Sequence, residues 1–260
     1  MSENVHPRAD ELDTLSALDF VRLMNAEDAS AVRAIEPQLA LVARAVEQVA
    51  ERLRAGGSLH YFGAGTSGLI ARLDAAECPS TFGVAAGTVQ AHVAEEAADE
   101  DDAELGRKEA RRAGLRSGDV VVGISASGRT PYVLGALEQA TASGALRLAL
   151  TCNPGSPLGR AADIPIEVAS GPEVIAGSTR LKAGTVQKLV LNMLSTAVFT
   201  RLGLTHRGRM VGVVAANEKL RERAARIVAD LAGVSLEEAR RRLDQAAGDI
   251  RAALAAVRPR

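Results

Sequence analysis

Four short apolar runs, at 59–62, 120–124, 146–151 and 164–168, recur through the middle of this 260-residue chain. The segments between them carry apolar residues at helical spacing and predict helices near 66–76, 102–113, 131–141 and 184–202. Strand-sized runs without polar alternation suit a sheet covered on both faces, and helical crossovers make neighbouring strands parallel. The chain therefore reads as α/β, a doubly wound parallel sheet. Ligands in that architecture sit beyond the carboxyl ends of the strands, at the turns that follow them.

Two such turns stand out. The first, at 63–68, reads GAGTSG, and its glycines permit positive φ and close approach of the main chain to a ligand. Gly65, Thr66 and Ser67 stand where a helix N-terminus leaves N–H groups unpaired, which suits a phosphate. The second, at 125–130, is SASGRT, with Pro131 at a first helical position. Ser125, Ser127, Gly128 and Thr130 offer hydroxyls and main-chain N–H groups to the same kind of anion. An ordinary capped turn is the plainer reading of each.

Before the sheet, Thr14 caps a short expected helix, and Asp28 or Ser30 starts a long one running through Val32, Val42 and Leu53 to a stop at Gly56 and Gly57. Residues 1–13 read as a polar arm. After Arg201, three helical patterns at 217–231, 235–243 and 248–257 predict a compact module, with Ser235 and Glu238 forming a capping box. The expected organisation is an arm and helices over 1–54, a ligand-binding domain over 55–212 and a three-helix module over 213–260.

Composition narrows the partners. Aromatic residues are 2% of the chain, tryptophan is absent and the formal charge is −1, which disfavours a nucleic-acid surface. Two cysteines, Cys78 and Cys152, make no disulfide framework and fit a reducing cytoplasm. No basic, apolar leader and no apolar span of about 20 residues is seen, so neither secretion nor a membrane is expected. His60, His92 and His206 lack metal-ligand spacing, so no metal and no cofactor are expected.

Three stretches, LDAAECPSTFG, ISASGRTPYV and EVIAGSTRLKAGTVQKLVLNMLSTAVFTRLG, closely resemble the N-acetylmuramic acid 6-phosphate etherases, built on the sugar isomerase (SIS) fold. The resemblance runs from about Leu12 to Val257. It implies a homodimer without metal that cleaves the D-lactyl ether at C3 of its phosphosugar. Removing the C2 proton of the open-chain sugar expels lactate, and water then adds. Positioned carboxyl groups serve as base and acid. The resemblance implies Glu77, expected on a Cys-Pro-Ser-Thr loop, as one of them. It implies Glu96 as the C2 base, or Glu95 if the gap is placed differently. Ser178, Arg180 and Lys182 are implied as partners of phosphate or carboxylate, and the C-terminal helices as a structural module of the ubiquitin-associated type. Leu69 stands where the family usually has arginine. A phosphosugar isomerase and a non-catalytic phosphosugar-binding regulator are the alternatives on the same fold.

Overall fold

The apolar runs become the strands of one parallel sheet. The computed structural model describes residues 4–212 and 218–255. Its strands are β1 (Leu59–Ala64), β2 (Val89–Ala94), β3 (Val120–Ser125), β4 (Leu146–Thr151) and β5 (Ile164–Glu167), in the order β2-β1-β3-β4-β5. All pairings are parallel, with Leu59 level with both Val89 and Val120. Every residue of β1 and β3 is buried, as two-sided cover requires.

One face of the sheet is covered by α2 (Leu39–Arg54), α3 (Gly65–Phe82) and α8 (Lys182–Arg201), whose apolar sides meet Tyr61, Val122, Ile124 and Leu150. On the opposite face, α5 (Ala103–Arg112), α6 (Pro131–Ser143) and α7 (Pro157–Ala161) enclose Phe62, Val121 and Ala149. The helix α1 (Ala17–Ala34) packs on α8, and α4 (Ala97–Glu100) is a single turn after β2. A small hairpin of β6 (Thr205–His206) and β7 (Arg209–Met210) precedes α9 (Glu218–Ala232), α10 (Leu236–Gln245) and α11 (Ile250–Ala255), which bury Val228, Leu243 and Ile250 together. The expected limits of that module at 217 and 257 lie outside the described residues. No helix among the described residues is long and apolar enough to cross a membrane.

The structure departs from the sequence reading in several places. β2 carries only a half-buried edge pattern, Val89, Ala91 and Val93 alternating with Gln90 and His92, and was not among the expected strands. The expected long helix divides at 35–38, where Pro37 sits in a short 3-10 turn, so Val32 belongs to α1 and Val42 to α2. Ser16, not Thr14, caps α1, its hydroxyl accepting from Asp19 N at 3.2 Å. α3 continues through Pro79 to Phe82, which packs on Phe199, and stops at Gly83 in the left-handed region, so Glu77 is helical rather than on a loop.

The expected polar arm is also partly ordered, with a 3-10 helix at Ala9–Thr14 and His6 buried against Glu27.

Away from the carboxyl ends, a chain of polar groups crosses the sheet. Asp119 accepts from Ser58 Oγ at 2.9 Å and from the main-chain N–H groups of Ser58 and Arg116 at 2.8 Å each. Burial pushes this carboxylate up, but the donors more than offset it, so its pKa is lowered and it accepts only. Ser58 therefore spends its proton on Asp119 and accepts from His60 Nε2, 2.9 Å away. His60 Nδ1 is left as acceptor for His92 Nε2 at 3.1 Å. His92 stacks on Phe62 and lies near Glu109, whose charge works against its desolvation.

Burial, and then the neighbouring His92, hold the His60 pKa at about 4. An unfolded histidine titrates near 6.5, so between those values the unfolded chain binds a proton that the folded chain refuses. The stability from neutral His60 is complete above about pH 6.5 and falls as pH drops toward 4, by about 3 kcal/mol in all. Denaturant unfolding at pH 7 and 4.5 should show this loss. His60→Gln should lower stability at pH 7 yet flatten the difference between the two pH values; an unchanged difference would contradict the assignment.

Candidate functional site

The strand order reverses between β1 and β3, and the turns after those two strands face each other across the crevice. α3 starts directly from β1 because glycines let main chain meet main chain. A Cβ on Gly63 would lie 2.9 Å from Gly68 N, and one on Gly68 would lie 2.4 Å from Val93 Cγ1. The residue before α3 is Ala64, so no side chain caps the first-turn N–H groups of Gly65, Thr66 and Ser67. They present a partial positive charge to the crevice.

The loop after β3 is held by its own hydroxyls. Ser125 Oγ accepts from Gly128 N at 3.0 Å and lies 2.8 Å from Thr130 Oγ1, while Ser127 Oγ accepts from Arg129 N at 3.2 Å. Gly128 has φ +66°, and a Cβ there would strike Ser156. Thr130 precedes α6 without capping it through its side chain. Two helix N-termini without side-chain caps thus flank a cavity of about 210 Å³. Its lining includes Gly65, Thr66, Ser67, Ser125, Ser127 and Thr130, and Gly177 and Thr179 form a further wall.

One carboxylate joins them. Glu100, the last residue of α4, lines the cavity and accepts from Thr130 Oγ1 at 3.2 Å through Oε1. The sequence reading did not name it. A signal was present: Glu96 and Asp99 form a capping box, which starts a helical turn at the end of β2 and carries Glu100 one turn onward.

The other sequence candidates lie elsewhere in this chain. Glu96 is exposed and caps α4, and Glu95 pairs with Arg72 at 2.5 Å. Glu77 is exposed on α3, away from the cavity lining. Gly128 supports the second loop from behind, and Ser178 sits between two lining residues. Arg180 is exposed.

Lys182 is 3% exposed, and its Nζ lies 2.5 Å from Glu27 Oε2 on α1, with His6 Nε2 on the other carboxylate oxygen at 3.4 Å. Burial raises the Glu27 pKa, but Lys182 and then His6 outweigh it, and the group stays below its ordinary value. The buried Glu173 accepts from the main-chain N–H of Lys182 and of Ala183, each at 2.9 Å. The N-terminus of α8 is thereby occupied by the chain's own carboxylate, unlike those of α3 and α6.

A second buried carboxylate ties the elements behind the site. Asp74 accepts from Tyr61 Oη and from Ser195 Oγ at 3.0 Å each, joining β1, α3 and α8. Burial raises its pKa despite those donors. Among the described residues no group of three or more His, Cys, Asp or Glu is placed to hold a metal ion.

Two family models match the chain: the SIS domain over residues 105–197 and the glucokinase regulatory protein N-terminal SIS domain over 41–141. The chain is 48% identical over 266 residues to the N-acetylmuramic acid 6-phosphate etherase of Rubrobacter xylanophilus, covering 99% of this chain and 88% of that one. It is 47% identical over 264 residues to that of Streptomyces avermitilis, covering 98% and 85%. The structure of a phosphoheptose isomerase from Neisseria gonorrhoeae shares the fold, with a TM-score of 0.56 and 22% identity over 71% of this chain and 100% of that one.

The hydroxyl of Ser125 serves the buried Gly128 N–H and Thr130 together. Ser125→Ala should destabilise the protein by about 0.5–1.5 kcal/mol, the net worth of a hydrogen bond, because the Gly128 N–H keeps the Ser125 carbonyl at 3.2 Å as its acceptor. Denaturant unfolding at neutral pH measures this. A change below about 0.5 kcal/mol would show that the loop does not depend on that hydroxyl.

Proposed function

The chain belongs to the N-acetylmuramic acid 6-phosphate etherase family, and from that membership we propose how its own residues cleave the D-lactyl ether. The protein converts N-acetylmuramate 6-phosphate into N-acetylglucosamine 6-phosphate and D-lactate, a step in recycling peptidoglycan amino sugars. The observation that carries the reading is the meeting of two helix ends without side-chain caps, three hydroxyl-bearing residues of the second loop and the carboxylate of Glu100 in one cavity.

The 6-phosphate sits between the turns at 65–67 and 125–130. First-turn N–H groups and short hydroxyls donate to it there, and no side chain of the first turn competes. The sugar then extends toward Glu100. With the ring open, the aldehyde at C1 acidifies the C2 proton, and Glu100 takes it. The electrons of the C2–H bond form the C2–C3 double bond as the C3–O bond breaks, and lactate leaves with a proton from a second acid. Water adds at C3, and the proton returns to C2. Glu96, the position implied by the resemblance, keeps α4 in place by capping it, which sets where Glu100 stands. Glu77, the other position implied by the resemblance, lies outside the cavity lining of its own chain and serves as the second acid at a site beside the interface of the homodimer.

The same reading makes the protein a cytoplasmic homodimer. Two free, buried thiols, Cys78 and Cys152, support a reducing compartment. The exposed Leu69, Leu73 and Met193 support a partner surface. Residues 55–212 hold the substrate, and 213–260 serve as a structural module.

The protein should release D-lactate from N-acetylmuramate 6-phosphate and, in heavy water, leave deuterium at C2 of the product. Glu100→Gln should lower the rate by about 10² or more, because an amide keeps the shape but cannot move the proton. The sugar lacking phosphate should bind at least about tenfold worse by calorimetry. Formation of a ketose without lactate would instead mark an isomerase, and binding without turnover a regulator.

A further inference from the structure

Three buried side-chain atoms among the described residues have no hydrogen-bond partner: Ser170 Oγ, Gln187 Nε2 and Arg242 Nη1. Arg242 keeps Glu238 through its Nε, and Ser170 stands beside the Cys152 thiol. Gln187 is 1% exposed, in the second turn of α8, and its donor is stranded there. Past it, the buried side of α8 is apolar apart from Ser195, which is bonded to Asp74. An unpaired amide inside a protein costs stability, whereas methionine or leucine fills a similar volume without that penalty.

The direction of the side chain leads to the site. Successive residues of a helix turn by about 100°, which puts Gln187 between the bearings of Ala183 and Gly184. Ala183 lies against Cys152, just past β4, and Gly184 lies against α3. Long side chains on a helix lean toward its N-terminus, over the turn three and four residues back. That turn is Ala183 and Gly184 themselves, so the amide lies over nearly bare backbone. A Cβ on Gly184 would stand 3.5 Å from both Thr66 Cγ2 and the Thr179 carbonyl oxygen, and both threonines line the cavity. Neither neighbour takes the proton. Thr66 turns a methyl carbon to Gly184, and the Thr179 carbonyl accepts from Gly184 N at 2.9 Å. The stranded N–H therefore points from behind at the seam between two lining residues.

We propose that Gln187 determines specificity, its Nε2 donating to the acetamido carbonyl oxygen at C2 of the phosphosugar. The inference rests on the phosphosugar reading given above. Glu100 takes the C2 proton from the α4 side, so the other substituents of that carbon turn away from Glu100, toward α8. The acetamide places a neutral, strongly accepting oxygen at the end of a short arm, which suits a neutral donor set behind the lining. A site that keeps a donor unpaired until the right ligand arrives rejects a ligand without the matching acceptor.

The test compares the wild type with Gln187→Met and, as a second apolar replacement, Gln187→Leu. N-acetylglucosamine 6-phosphate carries the acetamide, and glucose 6-phosphate carries in its place a hydroxyl two bonds shorter. By calorimetry the wild type should favour the first ligand by about threefold to tenfold, the worth of one neutral hydrogen bond. Both variants should lose that preference by weakening the acetamide ligand alone. Without ligand, the unfolding temperature should rise by about 2 °C or more in at least one variant, because the stranded donor is gone. A residue bonded within the fold would show the opposite shift.

Failure of both variants to melt above the wild type would overturn the proposal, since the amide would then be paired inside the protein. A wild type without preference, equal weakening of both ligands, or an unchanged preference in the variants would each overturn it as well. If the wild type binds neither ligand and releases no lactate, the phosphosugar reading falls first. Lactate release by a wild type that lacks the preference overturns the role of Gln187 alone.

Discussion

The structure depends on the starts of α3 and α6 being left without side-chain caps and set on the two sides of one cavity. A helix end normally finds a cap. Here Ala64 has no group to offer at the first end, and Thr130 turns its hydroxyl to Ser125 at the second. The strand order places these ends at the reversal between β1 and β3, where no crossover helix covers them. Gly63 and Gly68 then set the distance, because only main chain separates β1 from the first turn of α3. Sheet order, glycine placement and missing caps are thus one device for concentrating donors on an anion.

The contrast with α8 shows how selective that arrangement is. Its N-terminus lies next in the neighbourhood, two residues beyond an expected ligand contact, yet Glu173 already accepts two of its N–H groups. Lys182 beside it is neutralised by Glu27, and His6 closes the far side of that carboxylate. A buried ion pair of this kind adds little net stability over apolar packing, but removing one partner strands the other charge. Its effect is positional: it fastens α1 and the start of the chain onto the helix that forms the back of the sheet.

Much of this was legible in the chain. Continuous burial wrote β1 and β3 as apolar runs, the buried residues of β4 and β5 left shorter ones, and the glycine-hydroxyl turns marked the ligand end of the sheet. β2 escaped because an edge strand keeps polar residues such as Gln90 and His92 on view, so its signal is short alternation rather than a run. The path of α3 escaped because Pro79 reads as a stop, whereas Phe82 packing on Phe199 carries the helix past it to Gly83. Glu100 escaped because motif matching counts positions along the chain, while the turn of α4 decides which glutamate faces the cavity. Lys182 was drawn toward the site by the company it keeps in sequence. Its true partner is 155 residues away, a distance that no local pattern encodes.

The seam between Gly83 and Gly212 has a consequence for how this sequence can drift. A Cβ on Gly83 would fall 1.5 Å from the carbonyl oxygen of Gly212, and one on Gly212 would fall 2.0 Å from that of Phe82. Cores usually change by small trades, one side chain growing as its neighbour shrinks. No such trade exists here, because neither side of the contact has a side chain to surrender. The segment leading to the C-terminal helices is therefore registered to the end of α3 by bare backbone. Its docking point should persist through generations of substitution in the helices that follow, as a fixed coordinate around which their own packing is free to wander.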